Sequence, residues 1–182
     1  MINALGMVET NSIPKGIEAG DAMLKAAQVS LLTAQTACAG KYIVVVSGDV
    51  AAVKASVEAG AETAEDALVD TMMIPNVDAQ VIKAITACTQ PREMASLGII
   101  ETFSLASAIL CADQAVKAAD ISLIEIRLGR GLGGKSFVTM TGDVAAVSHA
   151  VKAADELEDT KGMMARSVVI PSPHLDMIEA VY

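Results

Sequence analysis

Two periodicities of hydrophobic residues run through the first half of the chain and predict an alternation of strands and helices. Ile13, Ile17 and Leu24 recur at helical spacing and place apolar side chains on one face of an amphipathic helix. Short runs rich in β-branched residues predict strands, two of which flank a loop that contains glycine. The predicted elements, in order, are a strand over residues 5–10, the helix over 13–27, and strands over 29–37 and 41–47.

A second helix and a last strand complete this pattern in each half of the chain. Asp49 and Asp143 each follow a glycine at the end of a strand and precede the sequence VAAV, so each is expected to cap a helix N-terminus. The last strand of each half is expected to stop at a proline, Pro75 or Pro171, before a short terminal helix.

The succession of elements occurs twice because the chain is a tandem repeat. Segment 5–32 aligns with 97–124, and after a two-residue insertion 40–53 aligns with 134–147. We therefore predict two copies of one α/β (α+β) domain, each built around a small sheet. The first domain is expected to cover residues 1–90 and the second residues 91–182.

The composition favours a protein with large subunit interfaces over a membrane protein or a nucleic-acid binder. The chain is 53% hydrophobic but only 2% aromatic, and its net charge is −9. Membrane spanning needs roughly 18 consecutive apolar residues, and polar or charged residues interrupt the long apolar runs. An acidic chain without a basic stripe or stacking aromatics is not expected to bind nucleic acid. No signal peptide is visible, so we expect a cytoplasmic protein.

The three cysteines form an odd set without a CxxC pair, which argues against a disulfide framework or a zinc site within one chain. Cys111 aligns with Ala19 inside a helix and is expected to be a small buried residue, and Cys88 near the joint between the repeats is expected to be incidental. Cys38 lies in the loop TACAGKY, where little apolar packing is available. The residues alone leave open whether Cys38 is incidental, a nucleophile or a ligand.

The equivalent loop of the second repeat, GRGLGGKS, matches the phosphate-binding pattern G-x-x-x-x-G-K-[ST]. Such a loop holds phosphate at the N-terminus of the helix that follows it, but here the strand-like sequence SFVTMTG follows. A glycine loop that joins two strands is therefore favoured. A nucleotide-binding enzyme or sensor that uses Gly129–Ser136 is the alternative.

The elements LGxxET, DxxxKAAxxSL, GK, GDVAAV and IP recur in order, and in this the chain closely resembles the bacterial microcompartment shell domain. Two such domains in tandem resemble the trimeric, tandem-domain shell proteins of that family. The resemblance implies a mostly antiparallel sheet flanked by helices in each domain and a structural role without catalytic residues. It also implies a homotrimeric, pseudohexagonal tile that joins other shell proteins edge to edge around encapsulated enzymes.

In that family the loops between the second and third strands meet at the centre of the tile and form a pore. Lys25 and Lys117, each in a D-x-x-x-K-A-A stretch, match the lysine that packs across tile edges. By the same resemblance the pore is lined by Ala37, Cys38, Ala39, Gly40, Arg130, Gly131, Leu132 and Gly133.

Within the tandem group, the sequence T-x-C-x-G-K at 36–41 resembles the iron–sulfur, PduT-like shell proteins of propanediol-utilisation compartments. This implies one [4Fe–4S] cluster per trimer, with Cys38 of three chains as ligands and a fourth ligand that does not come from the protein. The cluster would plug the pore or pass electrons across the shell, with encapsulated redox enzymes as partners. The alternative within the family is a metal-free metabolite pore whose charge and aperture are set by Arg130 and the glycines at 131–134.

Overall fold

The apolar segments of each repeat form a four-stranded antiparallel sheet, and helices pack on it. The computed structural model describes residues 4–86, 89 and 94–181. The elements of the first repeat are β1 (Ala4–Thr10), α1 (Ile13–Ala26), β2 (Ser30–Ala37), β3 (Lys41–Gly48), α2 (Val50–Ala64), β4 (Leu68–Pro75) and α3 (Ala79–Thr86). Those of the second are β5 (Ser96–Thr102), α4 (Leu105–Ala118), β6 (Ser122–Leu128), β7 (Ser136–Thr141), α5 (Val144–Asp155), β8 (Met164–Pro171) and α6 (Leu175–Val181).

The two sheets have the same topology, which confirms the predicted fold class. Their strand orders are β2-β3-β1-β4 and β6-β7-β5-β8, and every neighbouring pair is antiparallel. The predicted strands of the first repeat agree with the observed ones to within a residue, and β4 and β8 end at Pro75 and Pro171 as expected. The second and third strands of each repeat are neighbours, so the loop that joins them lies at one end of the sheet.

Contacts divide the chain into two compact units that do not follow the repeats in every detail. The first unit contains residues up to Val77 together with Arg130–Gly134, and the second contains Asp78–Gly129 together with the residues from Lys135 onwards. Helix α3 therefore packs in the second unit, on β6 and α4. The expected domain boundary between residues 90 and 91 lies outside the described residues.

The large apolar side chains predicted on one face of α1 point away from the sheet. Ile17 and Leu24 are 55% and 41% exposed, whereas the buried face of α1 consists of Gly16, Ala19, Gly20 and Met23. The reason is close approach, because Gly16 and Gly20 of α1 lie against the side chains of Tyr42 and Val44 on β3, where a β-carbon would come within 2.5 and 3.1 Å of them. The aliphatic face of α1 is thus exposed and does not contribute to the core of its own unit.

Both predicted residues occupy helix N-cap positions, but only one of them makes a capping hydrogen bond with its side chain. The Asp49 carboxylate accepts a hydrogen bond from the Ala52 N–H at 3.2 Å, which caps α2 as expected. Asp143 occupies the N-cap position of α5, but its side chain makes no capping hydrogen bond. The predicted N-cap position of Asp143 is therefore correct, but sequence position alone does not fix the orientation of the carboxylate.

The glycine of the repeated LG dipeptide lets the second helix of each repeat approach the central strand. A β-carbon at Gly6 would lie 2.5 Å from Val57 Cγ2, and one at Gly98 would lie 2.6 Å from Val147 Cγ1. Both distances are far shorter than ordinary van der Waals contact. The dipeptide is therefore repeated for reasons of packing.

Gly6→Ala and Gly98→Ala are each expected to lower the free energy of unfolding by about 1–3 kcal/mol, because the added methyl group overpacks the helix–sheet contact. Urea denaturation followed by circular dichroism measures this loss. Gly48→Ala is the matched control, since its β-carbon would have its nearest neighbour at 3.4 Å. A loss in the Gly48 variant as large as in the other two would contradict the packing explanation.

Candidate functional site

The first loop (Cys38–Gly40) is a short 3-10 turn that joins β2 to β3. Ala39 and Gly40 have left-handed backbone conformations, with φ of 63° and 73°, and both are exposed. Cys38 is half-buried, and Ala37 at the end of β2 is buried. The turn reverses the chain within three residues and leaves the Cys38 sulphur at the end of the sheet.

The second loop (Gly129–Lys135) joins β6 to β7, and its tip belongs to the first compact unit together with Cys38. The backbone N–H groups of Gly131 and Leu132 donate hydrogen bonds to Cys38 Sγ, at 3.1 and 3.3 Å. Arg130, Gly131 and Gly133 are exposed, and Leu132 is half-buried. The structure thus brings together the residues of both predicted pore loops.

The pKa values of the two described cysteine thiols are shifted in opposite directions. Backbone N–H groups, above all those of Gly134 and Leu132, hold the pKa of the Cys38 thiol below its ordinary value. Burial raises the pKa of the Cys111 thiol to about 11. Cys111 lies fully buried in α4, as its alignment with Ala19 predicted, so it remains a neutral thiol. The shift at Cys38 favours the thiolate form, and Cys88 lies outside the described residues.

The lysine that ends each loop forms an ion pair with the glutamate of the repeated ET dipeptide. Lys41 Nζ lies 2.7 Å from Glu9 Oε1, and Lys135 Nζ lies 3.2 Å from Glu101 Oε2. The first pair is the more buried one, because the Glu9 side chain is only 2% exposed and that of Glu101 is 38% exposed. These pairs hold the loops to the central strand of each sheet.

Sequence reasoning missed these ion pairs, although both partners were visible in the repeated pattern. A glutamate and a lysine recur at equivalent positions of both repeats, and opposite charges that recur together indicate contact. The same pair explains the lysine of the GRGLGGKS sequence, because Lys135 binds Glu101. The segment that follows this loop is β7 and not a helix, so the loop lacks the helix N-terminus of a phosphate-binding loop.

The two predicted tile-edge lysines each pair with the aspartate one helical turn earlier. Lys25 pairs with Asp21, and Lys117 pairs with Asp113. Asp113 also accepts a hydrogen bond from the Asp78 N–H at 2.9 Å, just before α3. Lys117 is consequently the less exposed of the two, at 39% against 74% for the Lys25 side chain.

Within the described part of a single chain, no three histidine, cysteine, aspartate or glutamate side chains lie close enough together to hold a metal ion. Among the same residues, no helix is long and apolar enough to cross a membrane.

The BMC domain model matches the chain twice, over residues 4–77 and 96–173. The chain belongs to the bacterial microcompartment shell family. It is accordingly a structural component of a microcompartment shell rather than an enzyme, and shell proteins of this kind assemble with other shell proteins.

The similarity to known proteins and to a solved structure extends over nearly the whole of this shell protein. The bacterial microcompartment shell protein PduT of Citrobacter freundii is 42% identical over 177 residues, which cover 97% of this chain and 96% of that protein. The carboxysome assembly protein CcmO of Synechocystis sp. is 30% identical and covers 93% of this chain, which spans 61% of that protein. The crystal structure of a microcompartment protein from Desulfitobacterium hafniense DCB has a TM-score of 0.93 and 53% identity, and 99% of each chain is covered.

Lys41→Met is expected to lower the free energy of unfolding of the shell protein by about 3–5 kcal/mol, because it leaves the buried Glu9 carboxylate without a partner. Lys135→Met is the matched control and should cost only about 0–1 kcal/mol, since the Glu101 pair is half-exposed. Urea denaturation at equal chain concentration measures both. Equal losses of unfolding free energy in the two variants would show that burial does not determine how much each ion pair contributes to stability.

Proposed function

We propose that three copies of this shell protein form a pseudohexagonal tile whose central pore holds one [4Fe–4S] cluster through Cys38 of each chain. The observation that carries the proposal is the asymmetry of the two equivalent loops. The first loop presents a half-exposed cysteine, and the second presents backbone N–H groups to its sulphur. One thiolate per chain around a threefold axis gives three ligands, and a fourth ligand would come from outside the protein.

The donor set of the chain fits such a cluster. Thiolate is the form of cysteine that binds iron, and the pKa of the Cys38 thiol is lowered by the surrounding backbone N–H groups. The flanking residues Ala37, Ala39 and Gly40 are small, so three such loops could approach one another closely. A bound cluster would supply one-electron transfer across the shell or close the pore to metabolites.

A homotrimer is supported by a terminal helix and an apolar surface that are not covered by any part of the chain that the structure describes. In the second unit, α3 packs on β6 and α4, and Val81 of α3 is fully buried. Gln80 fixes this contact, because its amide accepts a hydrogen bond from the Leu123 N–H at 3.0 Å and donates one to the Ile121 carbonyl at 3.2 Å. The terminal helix of the first repeat, α3, is therefore received by a surface of the second repeat, formed by β6 and α4.

The other helix and the other receiving surface are exposed. Met177 of α6, which aligns with Val81, is 57% exposed. Ile17 and Leu31, which align with the buried Ile109 and Leu123, are 55% and 46% exposed and line a groove of about 220 Å³ on α1 and β2. We infer that α6 of one copy occupies this groove, the α1–β2 groove, on the next copy.

Contacts of this kind are head-to-tail, and they close into a ring when the rotation between copies allows it. Three copies with two domains each give the six positions of a pseudohexagon. Lys25 and Lys117 would lie at the outer edges of the ring and contact neighbouring tiles, with Lys25 the more accessible of the two. Encapsulated redox enzymes would be the electron partners of a cluster at the pore.

Met177→Asp is expected to convert the trimer to monomers, because a carboxylate would be buried in the α1–β2 groove of the next copy without a partner. Ile17→Asp should have the same effect from the other side of the contact. Size-exclusion chromatography with light scattering measures the mass. Met163→Asp, at a methionine that is 45% exposed in the turn before β8, is the control and should remain trimeric. A trimeric Met177→Asp variant would contradict the proposed contact.

Anaerobically purified or reconstituted protein is expected to contain about four irons and four acid-labile sulphides per trimer, with a visible absorption band. Cys38→Ser should abolish the iron and the absorption, whereas Cys111→Ser should retain both, since Cys111 is buried in α4. Iron and sulphide analysis measures the content. A colourless, iron-free trimer after reconstitution would favour the metal-free pore, in which the exposed Arg130 sets the charge.

A further inference from the structure

The second loop is built to direct backbone N–H groups at the Cys38 sulphur. Its glycines at 129, 131, 133 and 134 all have φ between 61° and 90°, a region that other residues rarely adopt. Backbone of this kind turns successive N–H groups toward one side and forms a concave binding place for an anion. Gly131 and Leu132 make the two hydrogen bonds to Cys38 Sγ, at 3.1 and 3.3 Å.

The length and composition of the second loop fit this arrangement. It has two more residues than the first loop in the alignment of the repeats, and its tip lies in the same compact unit as Cys38. A β-carbon at Gly131, Gly133 or Gly134 would have no atom within 4 Å. Close packing therefore does not require glycine at these positions. The left-handed backbone conformation does, because other residues rarely adopt it.

We infer that Gly131 and Leu132 are positioning residues for the Cys38 sulphur, whose backbone N–H groups fix its direction in the iron-free protein and stay bonded to it when it ligates a cluster. The part that concerns the cluster rests on the proposed function, and the part that concerns the iron-free protein does not. The inference explains why only one loop carries cysteine. The first loop supplies the ligand, and the second supplies the hydrogen bonds that orient it.

Hydrogen bonds to a ligating sulphur also change the cluster that it holds. They favour the reduced, more negative state and so raise the reduction potential. Loss of the Leu132 N–H is therefore expected to shift the potential to a more negative value. A role of the loop in folding alone would not produce a shift of this sign in a variant that still assembles.

Hydrogen exchange in the iron-free trimer tests the inference without a cluster. Gly131 is an exposed residue whose N–H donates to sulphur, so we expect at least tenfold faster exchange at Gly131 and Leu132 in Cys38→Ala. Cys38→Ser keeps an acceptor and should restore part of the protection, and Cys111→Ala should exchange like wild type. Equal exchange in wild type and Cys38→Ala would overturn the inference.

The loaded protein provides the second test. Leu132→Pro removes the N–H donor and should shift the potential and the iron–sulphur stretching frequencies, whereas Leu132→Ala keeps the donor and should shift both much less. If Leu132→Pro does not fold, Gly131→Ala strains the loop at φ 72°, with Gly162→Ala at φ 81° as the control of equal backbone strain. Identical spectra and potentials for Leu132→Pro and Leu132→Ala, or for Gly131→Ala and Gly162→Ala, would refute a role of these N–H groups at the cluster. A protein that never binds iron would defeat the proposed function, and the exchange experiment would still decide the hydrogen bonds.

Discussion

The proposed trimer depends on the burial of apolar surface that a single chain leaves exposed. In that proposal each of the two terminal helices, α3 and α6, has a surface that receives it. Helix α3 is packed in the second compact unit, with Val81 fully buried. The exposed apolar residues of α6 and of the α1–β2 groove remain uncovered, and burying them favours association with another copy.

The two loops that join the second and third strands have the same base and different tips. In both repeats a glutamate of the central strand pairs with the lysine at the end of the loop, so the base of each loop is the same. The tips of the two loops differ. The first is a tight turn that carries Cys38, and the second is a glycine-rich loop whose N–H groups donate hydrogen bonds to the Cys38 sulphur. A single-domain chain would have to place both functions in one loop.

The sequence predicted the fold well because its signals are local and occur twice. Strand alternation, prolines at strand ends and the repeat itself require no knowledge of tertiary contacts. The exposed face of α1 could not be predicted, since the burial of Ile17 depends on which surface packs through glycine. For the same reason the hydrogen bonds to Cys38 were out of reach. They join residues 93 and 94 positions apart, and a glycine-rich sequence indicates an unusual backbone without indicating which atom its N–H groups contact.

The central claim is that Cys38 of three chains converges on one iron–sulphur cluster. Diffraction from anaerobically grown crystals, measured on both sides of the iron absorption edge, tests it most directly. The account predicts anomalous density of the size of a four-iron cluster centred on the threefold axis of the trimer, with one Cys38 sulphur from each chain beside it. An iron-containing crystal without a peak on that axis, or with Cys38 sulphurs directed away from it, would contradict the account.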